Sequence, residues 1–272
     1  MIKNIAKGAI VGVTELVPGI SGSTIAMLLN CYERLIYSLS ILTTSNRKQA
    51  YPFLIPFGIG LFLGAISSMH LINYLLSEYR TPTLMFFMGI IVSYLPVLWK
   101  EPFKESPQKR RFRHYFLIML FLSIVVFGQS FTSTTVIDID HLTFSNYLFL
   151  FISGFIASTA LVLPGISGAL ILTILGIYEI ALASLTSFHL PVILPIALGV
   201  VLGIVLSSKI VRYLLAKFPL ETYSAVIGLV GSSIFVILSE IDNVITMQTT
   251  VMSILTFSFG VLVVYQISYR NS

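Results

Sequence analysis

Apolar residues along this chain are grouped in long runs, and the polar residues gather in short clusters between them. From Tyr51 no charged residue occurs before Glu78, and none occurs between Phe116 and Ile137. Neither run alternates with period two or keeps its polar residues to one face, so both predict helices that are apolar all round. A helix of about 20 such residues crosses the hydrocarbon core of a bilayer. The runs and their breaks predict a helical hairpin over 5–43, broken at Pro18, then spans at about 52–76, 82–99 and 115–133. A second set follows: a hairpin at 146–188, then spans at about 190–214, 221–238 and 248–268. The expected fold is an all-α polytopic membrane protein, one integral membrane domain over 1–272.

Composition removes the competing class. Only 10% of the residues are charged and 56% are hydrophobic, with a mean hydropathy of +0.96. A soluble domain carries about 25% charged residues, so an apolar soluble enzyme is excluded. The single cysteine, Cys31, allows neither an internal disulfide nor a multi-cysteine metal site, and reads as a small apolar filler. His70, His114, His141 and His189 are scattered without ligand spacing, so no metal and no cofactor is expected. The first residues resemble a signal peptide, with lysines ahead of an apolar stretch. Glu15 and Pro18 interrupt that stretch, and its pattern returns in mid-chain, so these residues are read as part of the mature protein.

The return is an internal repeat. "VPGISGST" at 17–24 comes back as "LPGISGAL" at 163–170, an offset of 146. The match runs on to pair Tyr32 with Tyr178 and Glu33 with Glu179. Further on, 52–76 lies over 191–215 at an offset of 139, keeping Pro56/Pro195, Gly60/Gly199, Gly64/Gly203 and Tyr74/Tyr213 in register. Gly89 meets Gly228 at the same offset. The copies extend over about 5–99 and 146–238, linked by the helix at 115–133 and followed by the last helix at 248–268. Glycines spaced as Gly60-x-x-x-Gly64 and Gly199-x-x-x-Gly203 read as sites of close helix contact.

Charge then orients the copies. If each hairpin enters and leaves on one side, the N-terminus and the loops at 44–51, 100–114, 214–220 and 269–272 share a side. That side gathers Lys3, Lys7, Arg47, Lys48, Lys100, Lys104, Lys109, Arg110, Arg111, Arg113, Lys217 and Arg270. The opposite loops hold Glu78, Asp138, Asp140, Glu240 and Asp242, with Arg80 as their one basic residue. The basic side is therefore cytoplasmic, with both termini on it, and the net charge of +5 signals membrane orientation and not a nucleic-acid partner. Copy one starts inside and copy two outside, so the repeats are inverted, as in many secondary transporters. Two complete spans in each hairpin would give the same sidedness.

Chemistry is expected at the breaks. Pro18-Gly19 and Pro164-Gly165 interrupt a helix inside the membrane, where freed N–H groups find no water. A helix restarting there aims those donors, and the positive end of its dipole, at an anion. Ser21, Ser23 and Thr24 add hydroxyls, Gly22 lets a ligand approach, and the second tip offers Ser167 and Gly168 beside Ala169. The competing reading is a tight turn with small residues for packing. Ionisable residues within apolar stretches are Glu15, Glu33, Arg34 and Glu179, with Lys209 and Arg212 on one helix face. Such residues carry a functional expectation in a membrane. Arg34 or Arg212 would supply charge-assisted hydrogen bonds to a phosphate, and a glutamate would carry a coupling proton or sodium or balance an arginine. The bland reading puts Glu33-Arg34 at the interface and lets Lys209 and Arg212 snorkel to headgroups.

At these residues the sequence resembles the bacterial polyprenyl-phosphate transporters of the PopT type. Their first signature reads approximately acidic-x-x-PGxSGGT followed by GIYE, and their second PGISGS followed by GxYE. This chain has "ELVPGISGST…NCYE" and "LPGISGAL…GIYE". Glu15 stands in place of aspartate, Ser23 in place of the second glycine, Asn30-Cys31 in place of Gly-Ile and Ala169 in place of serine. The resemblance implies recycling of undecaprenyl phosphate, or a related polyprenyl phosphate, from the outer to the inner leaflet of the bacterial cytoplasmic membrane for cell-envelope synthesis. No GxxxxGK[ST] loop is present to use ATP. A secondary transporter of a small soluble anion is the alternative, since helix-tip donors suit either substrate. A membrane lipid-phosphate enzyme ranks last, because no triad or metal spacing is found.

Overall fold

The computed structural model describes residues 1–103, 111–129, 142–241 and 246–271, with only the backbone course at 269–271. Lys104, Lys109, Arg110, Asp138, Asp140, His141 and Asp242 lie outside the described residues, as does the end of the expected span at 115–133. All regular structure among the described residues is helical: α1 (Ile2–Thr14), α2 (Gly22–Leu28), α3 (Tyr32–Ser40), α4 (Tyr51–Glu78), α5 (Arg80–Lys100), α6 (Phe112–Gly128), α7 (Phe144–Val162), α8 (Gly168–Ile174), α9 (Tyr178–Thr186), α10 (Leu190–Lys217), α11 (Pro219–Ser239) and α12 (Met247–Asn271), with short 3-10 turns before α4 and after α5. Six of these, α4, α5, α7, α10, α11 and α12, are long and apolar enough to cross a membrane. α8 and α9 meet at a bend of 113°, a broken span or a re-entrant loop.

Helix lengths repeat along the chain. α2 and α8 have 7 residues each, α3 and α9 have 9, α4 and α10 have 28, α5 and α11 have 21. The first limbs differ. α1 has 13 residues whereas α7 has 19, which at 1.5 Å per residue is enough by itself to span most of a bilayer. The tip turns have one cause in both copies: Gly19 and Gly165 take φ of +78° and +89°, a left-handed conformation costly for any residue with a Cβ. The second turn explains one departure in the motif. Asn30 at φ +51° occupies the left-handed C′ position of α2 that Gly176, at +72°, fills after α8, and asparagine tolerates it best among residues with side chains. In both copies the next residue closes the helix end, Cys31 N–H donating to the Ala26 carbonyl at 2.9 Å and Ile177 N–H to Leu172 at 3.0 Å.

Glycines set the helix pairs. A Cβ on Gly60 would overlap the carbonyl of Ile5, and one on Gly64 that of Ala9, locking α4 onto α1. The equivalent overlaps in α10 are Gly199 with Phe151 and Gly203 with Phe155, the residues at offset 146 from Ile5 and Ala9. The expectation of close packing at these spacings is met. The later helices exchange partners. Gly89 of α5 lies against the carbonyl of Phe257 in α12, and Gly228 of α11 against that of Ile118 in α6. Residues 118 and 257 also differ by 139, so α5 holds the helix that follows the second copy and α11 the helix that follows the first. α4, α10 and α12 turn Phe62, Ile66, Leu198, Val201, Leu255 and Phe259 outward, an apolar surface that a bilayer covers. α2 is buried at every residue, and α11 from Leu220 to Ile237 is the other main core helix.

Candidate functional site

Both hairpin tips fold into the same place. Ser23 Oγ donates to the carbonyl of Leu163 at 3.1 Å, and Gly165 N–H donates to Thr24 Oγ1 at 2.9 Å. Tyr32, at the start of α3, donates its hydroxyl to the Val162 carbonyl at 3.0 Å. These three bonds satisfy backbone groups that the break at Pro164 leaves without helical partners. Behind the second tip, Ser233 of α11 donates to the Gly165 carbonyl at 3.2 Å, and Gly19 of the first tip rests on Val236 and Ile237 of the same helix. The motif residues are mostly closed in. Ser21, Gly22, Ser23, Thr24, Pro164, Gly165 and Gly168 are buried, Gly19 and Ser167 are half-buried, and Pro18 is exposed. Ser21 and Ser23 share a hydroxyl–hydroxyl bond of 2.6 Å.

The first tip has ionic partners at both ends of α2, and both come from α1. Gly22 N–H donates to Glu15 Oε1 at 3.1 Å, so a carboxylate already sits on the donors at the start of that helix. Lys7 Nζ donates to the carbonyls of Leu29 at 2.6 Å and Asn30 at 3.3 Å, at its other end. An anion at the N-terminus and a cation at the C-terminus each match the helix dipole. The second hairpin has neither. Leu161 stands at the position of Glu15 and packs against Gly168, and Ser153 stands at the position of Lys7, buried with no hydrogen-bond partner for its hydroxyl. Sequence reasoning assigned Lys7 to topology alone. Its spacing from the carbonyls it caps is visible only once α2 is placed beside α1.

A polar vestibule adjoins the tips. Two cavities of about 380 and 280 Å³ share Glu33, Glu101 and Tyr223 as walls. The inner one reaches Met27, Asn30 and Tyr32 at the end of α2, and the outer one is bounded by Tyr37 and the last turns of α10. Arg34 lines the inner cavity, its guanidinium 5.2 Å from the centre of the Phe53 ring. Arg212 lines the outer one, 4.5 Å over the ring of Tyr37 and donating to Ser40 Oγ at 3.2 Å. Tyr223 donates to Glu33 Oε1 at 3.3 Å. The lining thus carries two permanently charged guanidinium groups, each held against an aromatic face, along with the carboxyl groups of Glu33 and Glu101, so attraction for an anion is local to each arginine.

The structure thus groups Arg34, Arg212 and Glu33, and separately joins Ser23 and Thr24 to the second tip, with Ser21 bonded to Ser23 and Glu15 to Gly22 within the first hairpin. Glu179, the repeat partner of Glu33, is exposed and lines neither cavity. Tyr32 is 2% exposed and its partner Tyr178 36%, so the matching tyrosine-glutamate pairs occupy different environments. Lys209 is exposed outside the vestibule, whereas Arg212 faces into it. Tyr94, Glu101 and Tyr223 were not singled out in the sequence. They come from three separate helices or turns, and no local pattern marks them.

Known proteins resemble this chain in sequence. The family model described as undecaprenyl phosphate translocase-like matches residues 11–252 and 196–272. The polyprenyl-phosphate transporter of Staphylococcus aureus (strain NCTC 8325 / PS 47) is 34% identical over 272 residues, covering 96% of this chain and 93% of that protein. The polyprenyl-phosphate transporter of Vibrio cholerae serotype O1 is 32% identical over 236 residues, covering 82% of this chain and 73% of its own. No solved structure matches the chain.

Proposed function

The chain belongs to the undecaprenyl phosphate translocase-like family, and on that premise we propose that it returns undecaprenyl phosphate, or a related polyprenyl phosphate, from the outer to the inner leaflet of the bacterial cytoplasmic membrane. It is a multi-pass membrane transporter and not an enzyme. The observation that carries the reading is the pair of guanidinium groups, Arg34 and Arg212, in two adjoining cavities, the inner of which is also lined by Tyr32, whose hydroxyl bonds the Val162 carbonyl just before the second tip. A lipid phosphate requires a polar cavity with a cationic side chain for its head while its tail stays in hydrocarbon. The phosphate is held by the donors of Ser21, Gly22, Ser23, Thr24, Ser167 and Gly168, with Arg34 or Arg212 as counter-charge. In the closed arrangement Glu15 occupies Gly22 N–H. Arrival of the phosphate displaces that carboxylate, which exchanges one anion for another at the same donor. The halves act as inverted repeats around this point, with both termini cytoplasmic, a reading supported by the loop charges and by the exchange of last helices. Proton or sodium coupling runs through Glu15, Glu33 or Glu179.

The test is transbilayer movement of undecaprenyl phosphate in proteoliposomes. Wild type moves the lipid, and both Arg34→Ala and the pair Ser21→Ala/Ser167→Ala lower the rate by about tenfold or more, as expected for loss of charged or clustered phosphate contacts. Coupling predicts that Glu15→Gln, Glu33→Gln or Glu179→Gln changes the pH dependence of the rate, and unchanged profiles in all three reject it. If wild type moves no lipid under any ion gradient while small anions bind, the soluble-anion transporter is the correct account.

A further inference from the structure

The far side of the vestibule wall is an apolar groove. α5 has one face, with Tyr94 near its end and Glu101 just beyond it, toward the polar cavities, while Leu95, Trp99 and Lys100 line a groove of about 540 Å³ between α5, α6 and α11. α11 divides in the same way. Tyr223 faces the vestibule, and Ile227 and Gly231 face the groove. The groove is therefore separated from the polar cavity by the seam between α5 and α11. Lys100 is its one charged lining residue, next to Trp99, whose ring lies 6.0 Å from that of Tyr115. A cation beside paired aromatic rings marks a headgroup level. Gly231 leaves the groove open: a Cβ there would meet only Leu122 Cδ1, at 3.8 Å, unlike Gly228 one turn earlier, which is pressed against the Ile118 carbonyl.

We infer that this groove holds the first isoprene units of a polyprenyl phosphate, with the phosphate at Lys100 after it leaves the vestibule between α5 and α11. The inference rests on the proposed function and adds the lipid's route of release into the inner leaflet. Size alone does not single the groove out. Another of about 560 Å³ lies between α7 and α10, lined by Tyr147, Phe151, Leu194 and Leu198, but it has no charged lining residue, and its α10 residues lie at the opposite end of that helix from Arg212, Leu215 and Ala216 of the vestibule. The cation, and the adjoining turns of α5 and α11 that line both the groove and the vestibule, select the α5/α6/α11 groove for an anionic lipid.

The experiment uses full-length protein in nanodiscs and a polyprenyl phosphate carrying a photoreactive diazirine on the isoprene unit next to the phosphate. Adducts map to the walls of the α5/α6/α11 groove and are competed by unlabelled lipid. Gly231→Phe fills the groove and lowers the adduct yield about tenfold or more, while Leu198→Phe in the other groove leaves it unchanged. Val92→Trp, at a half-open position on the groove wall, gives the same loss should Gly231→Phe fail to fold. Binding of dimethylallyl phosphate, which has the head but almost no tail, persists in both groove variants. Adducts in the α7/α10 groove or spread evenly over the outer helices, or undiminished adducts in both groove variants, overturn the inference and leave the function standing. A wild type that binds neither the long nor the short phosphate overturns both.

Discussion

Thr24 shows how much of the site rests on single atoms. Its hydroxyl accepts the hydrogen bond of Gly165 N–H at 2.9 Å, where both residues are buried. Thr24→Val keeps the shape and removes the acceptor, leaving a buried donor unpaired at a cost of about 1–3 kcal/mol. The expected result is a lower unfolding temperature in detergent that Thr24→Ser largely restores, and equal temperatures for all three proteins would show that the bond carries no stability. Other residues divide by whether their neighbours are local. The serines and glycines of the tips were legible because the break that exposes donors is written within a few residues of them. Lys7, Tyr94 and Tyr223 were not, because each acquires its role from a helix distant in sequence. Glu15 was legible as an intramembrane carboxylate, but its partner, the N–H of Gly22, depends on the angle at which α2 leaves the tip.

Among elements, equal length conceals unequal burial. α2 and α8 match residue for residue in number, yet α2 is buried throughout and α8 only at Gly168. The sequence hints at this: α2 is flanked by the ion-bearing Lys7 and Glu15, whereas the corresponding places around α8 hold Ser153 and Leu161. Two copies of a motif thus do not make two copies of a site, and the first tip is fixed more firmly than the second. Helix pairing was the most legible feature, because glycines at four-residue spacing have little other use on a helix face. Gly64→Val is expected to push α1 off α4 through contact with the Ala9 carbonyl. An overpacked contact of this kind costs about 1–3 kcal/mol. Thermal unfolding checks it, with Gly58→Val as the control, since a Cβ on Gly58 meets nothing within 4 Å.

At the scale of the molecule, the first hairpin and α4, and the second hairpin and α10, form matching groups, while α5, α6, α11 and α12 tie the copies together. Residues 1–141 and 142–272 expressed apart are each expected to be unstable, because α5 and α6 in one, and α11 and α12 in the other, lack their partners. Expressed together they should reassemble and regain lipid movement. A first half that alone resists proteolysis and runs as a single species would contradict this arrangement. The sequence offset of 139 showed that Gly89 and Gly228 are equivalent, but not that each contacts the other copy. Equivalence is a property of the pattern, whereas exchange depends on which helix faces which in the assembled bundle.

The exchange also has a consequence for synthesis. α5 leaves the ribosome long before α12, whose Phe257 carbonyl covers Gly89. At ~5–20 residues per second the delay is on the order of 10 seconds. Throughout it, α5 waits in the bilayer with its glycine face open to lipid or to the insertion machinery. The vulnerable moment in this protein's life is therefore its birth, and a mutation in α12 would be felt first by nascent chains whose earlier helices have no partner to close upon.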